Sequence, residues 1–156
     1  MVLSRKQKIG LSILVFWLLI NIIVLLFFYQ TKKEERQIST IKINEQIIKA
    51  EVASSALDQY LGLSNRTSLC ADCGMLFIFP DKQEREFVMR NMNFPLDIIF
   101  LSDGKIINIA ANLKPEGDNP TARYKSLTPA NQVLELNGGY SEKYGLQAGD
   151  TVIYDN

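Results

Sequence analysis

The pattern of apolar and polar residues separates one long apolar segment from a series of short apolar runs. Residues 9–29 form 21 consecutive positions without a charge. In a helix rising about 1.5 Å per residue this segment would span roughly 31 Å, close to the hydrocarbon thickness of a bilayer. A cleaved signal peptide has a shorter apolar region followed by a small-x-small site, and residues 27–31 contain no such site. The pattern therefore predicts an uncleaved transmembrane helix over residues 9–29.

The charges around this segment favour one orientation. Arg5, Lys6 and Lys8 precede it, although Lys32 and Lys33 follow it and make the bias incomplete. We expect residues 1–8 to be a basic cytoplasmic tail and residues 30–39 to be a linker. Residues 40–156 would then form an extracytoplasmic domain of a single-pass cell-membrane protein.

The first part of that domain reads as a hairpin and a helix. Residues 40–43 and 46–52 are strand-like, with a turn between them. Ser55 is a candidate N-cap for a following helix. Leu57, Tyr60 and Leu61 fall on one face of that helix, and we expect this face to pack on the core.

The rest of the domain consists of short strand-like runs joined by turn residues. Asp103-Gly104 supplies the left-handed conformations of a tight hairpin turn. A turn is predicted at 80–83 and a short helix at 139–144. The further strands are predicted at 74–79, 85–90, 97–101, 105–110, 123–127, 132–136 and 151–154. About eight short strands predict a mainly-β fold, a small closed or nearly closed β-barrel with one or two short helices. A two-layer α+β sandwich is the alternative.

Residues 85–101 place polar groups in the middle of an apolar run. Arg90, Asn91 and Asp97 lie around Pro95, which cannot donate to a β-ladder. We predict two strands on either side of a corner at Pro95, with these three polar side chains converging across it.

Composition excludes some kinds of function. The formal net charge is zero, and from residue 30 onward there are 14 Lys and Arg against 17 Asp and Glu. A mildly acidic domain does not suit nucleic-acid binding, which depends on phosphate neutralisation. The chain has no histidine, the commonest general base and a common metal ligand. No cofactor is predicted.

Several motifs, in order, resemble the domain of unknown function family 192 (DUF192), a widespread prokaryotic family. They include GMLF at residues 74–77, FVMRNM at 87–92, PLD at 95–97 and VLELNGG at 133–139. Val88, Arg90 and Met92 stand where the family typically has Trp, Lys and Thr. The resemblance covers residues 40–154. It implies a compact β-rich domain, often secreted or membrane-anchored, and it implies no established activity.

The corner residues have two interpretations. Arg66, Arg90, Asn91 and Asp97 supply a planar donor fork, an amide and an acceptor, which together suit a small anionic or sugar ligand. The same residues also suit an internal network in which Arg90 pairs with Asp97. A hydrolase based on Asp97 is less favoured, because a neighbouring arginine would weaken that carboxylate as a base.

Cys70 and Cys73 have a C-x-x-C spacing that permits a disulfide, a redox pair or half of a metal site. Zinc would require the cysteines of a second chain, since there is no histidine and no other cysteine. Outside the cytoplasm a local disulfide is the simplest outcome. Glu135 and Asp150 are further carboxylates, for which we expect surface or turn positions rather than paired catalysis.

Taken together, the sequence predicts a non-enzymatic binding or accessory module of the cell envelope, anchored by residues 9–29. The alternative is an enzyme, either a thiol oxidoreductase using Cys70 and Cys73 or a hydrolase using Asp97. No nucleic-acid partner is expected, and the sequence identifies no protein partner.

Overall fold

The computed structural model describes residues 14–24 and 36–155. The chain divides into two compact units, residues 1–35 and residues 36–156. The predicted basic tail at 1–8 lies outside the described residues, as does most of the predicted linker.

In the first unit, the described residues 14–24 form helix α1. Its apolar side chains are exposed, with Trp17 and Ile23 each 63% accessible. The remainder of the predicted transmembrane segment lies outside the described residues. Within the described ranges, no helix combines the length and apolar character needed to cross a membrane. The transmembrane segment thus stays a prediction.

The second unit is mainly β, as predicted. Its strands and helices, in chain order, are β1 (Ile38–Ile43), β2 (Gln46–Ala53), α2 (Ala56–Leu61), β3 (Cys73–Gln83), β4 (Glu86–Phe87), β5 (Leu96–Ser102), β6 (Lys105–Leu113), β7 (Tyr124–Lys125), β8 (Ala130–Asn137), α3 (Tyr140–Tyr144) and β9 (Val152–Asp155).

Seven of the strands form one curled sheet, and β4 and β7 form a separate pair. The order in the large sheet is β6-β5-β8-β3-β2-β1-β9. Its two edges approach each other, because Ile106 N–H donates to the Asp150 carbonyl and Val152 N–H donates to the Gly104 carbonyl. The sheet is therefore a curled half-barrel whose edge strands touch at one end. These contacts cover the strand edges at that end only, so the barrel closure that the sequence favoured as a way to hide edges is partial.

Both faces of the central strands are buried, each in its own hydrophobic cluster. The concave core contains Ile106 and Val152 from the two edges together with Leu134 and Leu136 of β8. The opposite face carries the second core, which includes Met75, Phe77, Ile98, Phe100 and Val133. Strand β5 is consequently buried on both sides, from Leu96 through Leu101.

Two hairpin-turn predictions and one helix-cap prediction are confirmed. The β1–β2 hairpin turns through Asn44, whose φ is 53°. The β5–β6 hairpin turns through Asp103 and Gly104, with φ of 51° and 71°. Ser55 caps α2 by accepting from the Asp58 N–H at 3.1 Å. These signals succeed because each depends on a few adjacent residues.

Three predictions that depended on tertiary context were wrong. Residues 80–83 continue strand β3 rather than turning, and the strand predicted over 85–90 is reduced to the two residues of β4. Helix α2 buries none of its residues. Its predicted core face is instead exposed, by 66% at Leu57, 64% at Tyr60 and 43% at Leu61.

Candidate functional site

Asp97 is an internal acceptor for backbone donors. It lies at the start of β5 and is fully buried. Its Oδ1 accepts from the backbone N–H of Asn112 at 2.7 Å and of Gly139 at 2.8 Å, and its Oδ2 accepts from Ser141 N–H at 2.6 Å. The carboxylate thus ties the end of β6 and the start of α3 to β5. Charge-assisted bonds to backbone N–H groups are among the stronger hydrogen bonds in proteins.

The corner at Pro95 is closed by a glycine. Gly138 N–H donates to the Pro95 carbonyl at 2.9 Å. A Cβ at Gly138 would lie 2.7 Å from the Cβ of Pro95 and 3.0 Å from Oδ1 of Asn112. Only glycine permits this approach, so the predicted corner exists and is packed against the loop between β8 and α3.

Arg90 and Asn91 lie on a different side of the corner, against the loop that follows α2. The Arg90 guanidinium stacks on the Tyr60 ring at 4.0 Å and donates to the Tyr60 carbonyl at 2.6 Å. Asn91 has a left-handed φ of 52°, and its carbonyl accepts from the Asn65 N–H at 2.8 Å. The Ser64 hydroxyl donates to the Arg90 carbonyl at 2.8 Å. These bonds fix residues 90–91 beneath α2.

Arg66 belongs to a third arrangement. It forms two parallel bonds to Glu51, at 2.5 Å to Oε1 and 2.7 Å to Oε2. Arg36 also contacts Glu51, at 3.1 Å. The hydrogen bonds from the two arginines, together with their positive charges, lower the pKa of Glu51 to about 2 despite its partial burial. The guanidinium fork of Arg66 is thus occupied by the carboxylate of Glu51.

The four residues grouped from the sequence do not form one site. The guanidinium of Arg90 contacts Tyr60, whereas Asp97 uses both oxygens on backbone N–H groups. Arg66 is engaged by Glu51. Of the four, Arg90 lines the cleft beneath α2, and Arg66, Asn91 and Asp97 do not.

That cleft lies between α2, the end of β3 and the segment around β4. It has a volume of about 420 Å³, within the range of small-molecule sites. Phe77, Phe79 and Phe87 form an aromatic cluster on its lining, with ring centroids of Phe77 and Phe87 5.0 Å apart and nearly perpendicular. Tyr60 contributes a fourth ring from α2.

Two arginines line the cleft, and their bonding differs. Arg85 stacks on Phe79 at 4.0 Å, pairs with Asp81 at 2.6 Å and donates to the Ala130 carbonyl at 3.1 Å. Arg90 has no carboxylate within 4.0 Å among the described residues. Arg90 is therefore the guanidinium better placed to accept an outside anion.

Glu135 is the buried carboxyl group among those that line the cleft, and its position corrects the surface location expected from sequence. It is 5% exposed, and its Oε2 has no hydrogen-bond partner in the described part of the chain. It sits on β8 between Met75 of β3 and Ile98 of β5. Burial raises its pKa to about 8, and the charge of Arg66 offsets this only partly.

Sequence reasoning missed Glu135 because it treated β8 as a strand with one exposed face. A signal was present: Val133 shares the face of Glu135 and belongs to the second core. A carboxylate flanked by Leu134 and Leu136 in a strand buried on both sides has no route to solvent except a cleft.

The remaining candidates have local roles. Cys70 and Cys73 are joined by a disulfide in a turn that enters β3, where Asn137 donates to the Cys70 carbonyl at 2.9 Å. Asp150 accepts from Gln147 N–H at 3.0 Å, as expected for a turn residue. In the ranges that the structure covers, no group of three or more Cys, Asp or Glu side chains is placed to hold a metal ion.

Comparisons with known proteins agree with this fold. A crystal structure from Sinorhizobium meliloti 1021, described as a "putative transcription regulator", is 28% identical, with a TM-score of 0.72 over 78% of this chain and 97% of that one. A protein of unknown function from Novosphingobium aromaticivorans DSM 12444 is 33% identical, with a TM-score of 0.71 over 78% and 89%.

No curated protein matches the chain. The model of the DUF192 family, described as "Uncharacterized ACR", matches residues 39–154, which include every strand from β2 to β8 and nearly all of β1 and β9. This is the span over which the sequence motifs resemble that family. The chain belongs to the DUF192 family.

Proposed function

We propose that the protein is a non-enzymatic binding module of the cell envelope, which holds a small anionic or sugar ligand in the cleft beneath α2. The observation that supports this is the combination in one cleft of an aromatic lining, the Arg90 guanidinium, which has no carboxylate partner among the described residues, and the buried carboxyl group of Glu135, whose Oε2 has no hydrogen-bond partner there. Ligand sites are typically apolar clefts with a few such polar groups. A buried polar atom without a partner is unfavourable unless something binds it.

The enzyme alternatives have less geometric support. A hydrolase would need Asp97 at the substrate, but both of its oxygens accept backbone N–H bonds inside the fold. A thiol oxidoreductase usually has its first cysteine at a helix N-terminus, whereas Cys70 precedes a turn that leads into strand β3, which begins at Cys73. Neither arrangement presents a nucleophile or base to the cleft.

Saturation-transfer NMR on the full-length chain tests the proposal. The probes are 3-phenylpropionate and octanoate as apolar anions and methyl glucoside as a sugar. Val88 lines the cleft, and tryptophan is the typical family residue at this position. Val88→Trp therefore fills space with a side chain that related domains accommodate. We expect this variant to lose most of the transfer to whichever probe binds.

Ile153→Trp is the matched control, because Ile153 is 52% exposed on β9 and does not line the cleft. This variant is expected to bind as the wild type does. Equal loss in both variants, or absence of transfer to all three probes in the wild type, would overturn the proposal.

The membrane location is part of the proposal. Its support is the uncharged segment at residues 9–29 and the exposed apolar side chains of α1, which need an apolar environment. Alkaline carbonate extraction of cells checks it. The full chain should remain in the pellet, and a chain lacking residues 9–29 should be released. Release of both would contradict the anchor.

A further inference from the structure

The cleft contains two polar groups with different protonation behaviour, and together they restrict the chemistry of the ligand. This inference rests on the proposed function, because it names the ligand class of the same cleft. The first group, Arg90, carries a permanent positive charge. The second, Glu135, is a carboxyl group 5% exposed to solvent.

Among the described residues, Oε2 of Glu135 has no hydrogen-bond partner that would stabilise the ionised form. The neighbouring strands β3 and β5 place Met75 and Ile98 beside it, which carry no charge. The cation whose charge acts on it is Arg66, whose fork is already bound by Glu51. A buried carboxyl without a counter-ion takes up a proton rather than remaining charged. In the empty cleft Glu135 is therefore a neutral acid at pH 7, consistent with its pKa of about 8.

The other titratable groups around Glu135 do not reverse this. Those that line the cleft or act on its charge are Tyr60, Arg66, Glu84, Arg85, Glu86 and Arg90. Arg85 is paired with Asp81, and Glu86 lies 3.3 Å from Arg123 and 3.5 Å from Lys125. Glu84 and Arg90 are left as lining charges without a counter-ion among the described residues. Glu84 is exposed, so solvent screens its charge, whereas Arg90 is half-buried against the Tyr60 ring. A cationic ligand would face the charge of Arg90 and would have to ionise Glu135.

We propose that the cleft binds a compact carboxylate with an apolar or aromatic body, with Arg90 as its counter-ion and protonated Glu135 as a hydrogen-bond donor. A guanidinium presents a planar fork that fits a carboxylate. A protonated carboxyl group donates one O–H, so both polar groups supply donors to an acceptor-rich ligand. The aromatic lining of Phe77, Phe79 and Phe87 accommodates the apolar body.

This assignment predicts the direction of the pH dependence. Binding requires the protonated form of Glu135, so affinity should decrease as pH rises above the pKa of that group. A ligand whose cationic group paired with Glu135 would behave in the opposite way, because it would require the ionised form.

Three probes of the same shape separate these cases on the full-length chain. They are 3-phenylpropionate, the neutral 3-phenylpropanamide and the cationic 3-phenylpropylamine, titrated at roughly pH 6.5 and about 9, on either side of the pKa of Glu135. We expect 3-phenylpropionate to bind most tightly and to lose about tenfold in affinity over this range, whereas the amide should lose less, about threefold. Tighter binding of the amine or of the amide at pH 6.5 would overturn the carboxylate assignment while leaving the cleft as a binding site. Failure of all three to bind would overturn this inference; the proposed function would be overturned as well only if octanoate and methyl glucoside also showed no transfer.

Two variants test the two polar groups separately. Arg90→Gln should weaken 3-phenylpropionate about tenfold and the amide by less than about threefold, so retained amide binding shows that the cleft remains formed. Glu135→Gln cannot ionise; it should bind 3-phenylpropionate about threefold more weakly at pH 6.5 but show no decrease up to pH 9. Lys49→Gln removes an exposed charge outside the cleft and should match the wild type. A pH dependence that persisted in Glu135→Gln would overturn the role of Glu135.

Discussion

Asp97 and Glu135 are two buried carboxyl groups on paired strands, and the protein uses them in opposite ways. In the register of β5 and β8, Asp97 lies opposite Leu136 and Ile98 lies opposite Glu135, so the two side chains point to opposite faces of the sheet. Asp97 receives three backbone N–H groups. Glu135 leaves Oε2 without a partner in the described part of the protein.

The contrast shows that burial alone does not distinguish a structural carboxylate from a binding group. A buried acid whose oxygens are filled by the protein contributes to stability, because removing it leaves several donors unsatisfied. A buried acid with a free oxygen at the wall of a cleft reduces stability and provides a contact for something else. From the sequence, Asp97 was a candidate either for ligand binding or for an internal network, and Glu135 was expected at the surface.

The largest expected effect comes from Asp97→Asn. The amide can accept with only one oxygen, and its NH2 group would face backbone donors. We expect the free energy of unfolding to fall by about 3 kcal/mol or more, measured by chemical denaturation. Asp103→Asn is the matched control, since Asp103 is exposed and pairs only with Lys82, and it should change stability by less than about 0.5 kcal/mol. Equal effects in the two variants would remove the structural role of Asp97.

The second largest loss of stability is expected at Gly138, which packs against Pro95 at the corner next to Asp97. Gly138→Ala would bring a Cβ within 2.7 Å of Pro95, and such overpacking should cost about 1–3 kcal/mol in thermal or chemical unfolding. At Gly117 an added Cβ meets nothing within 4 Å, so Gly117→Ala should be close to neutral. A neutral Gly138→Ala would mean that the loop before α3 can move away from Pro95.

Glu135→Gln should change how stability depends on pH. The pKa of Glu135 is raised from 4.5 to about 8 on folding, so between these values the folded state holds a proton that the unfolded state has lost. By linkage the wild type loses stability as pH rises through this interval, on the order of 5 kcal/mol at most. Glu135→Gln should lack this loss and become the more stable protein near pH 9. Parallel stability profiles from about pH 5 to 9 would show that Glu135 is not the buried neutral acid described above.

The smallest effect is expected at Leu57 of α2, the helix that forms one wall of the cleft containing Glu135. Because this side chain is 66% exposed, Leu57→Gln should change the free energy of unfolding by less than about 0.5 kcal/mol. A loss of about 2 kcal/mol or more would show that Leu57 packs on the core, as the sequence predicted, and that the cleft is more enclosed than the structure indicates.

The local features of the fold could be predicted from the sequence because short-range interactions determine them. The Asp103-Gly104 hairpin and the Ser55 cap depend on backbone preferences of adjacent residues, and the structure contains both. The candidate site could not be predicted in the same way. Whether Arg90 contacts Asp97 or Tyr60 depends on the packing of α2 and the loop that follows it. That segment is far in sequence from both Arg90 and Asp97.

The amino-acid sequence by itself determined the mainly-β class, the positions of most strands and turns, and membership of the DUF192 family, because periodicity, turn residues and ordered motifs are local and additive. Only the tertiary structure decided which acid is satisfied and which is not. Hydrogen-bond partners of a buried group come from distant segments: Asn112, Gly139 and Ser141 reach Asp97, and no described residue reaches Oε2 of Glu135. Three-dimensional packing thus determines which buried oxygen lacks a partner. For the same reason the candidate site is the cleft lined by Arg90 and Glu135, whereas the sequence predicted it at the Pro95 corner.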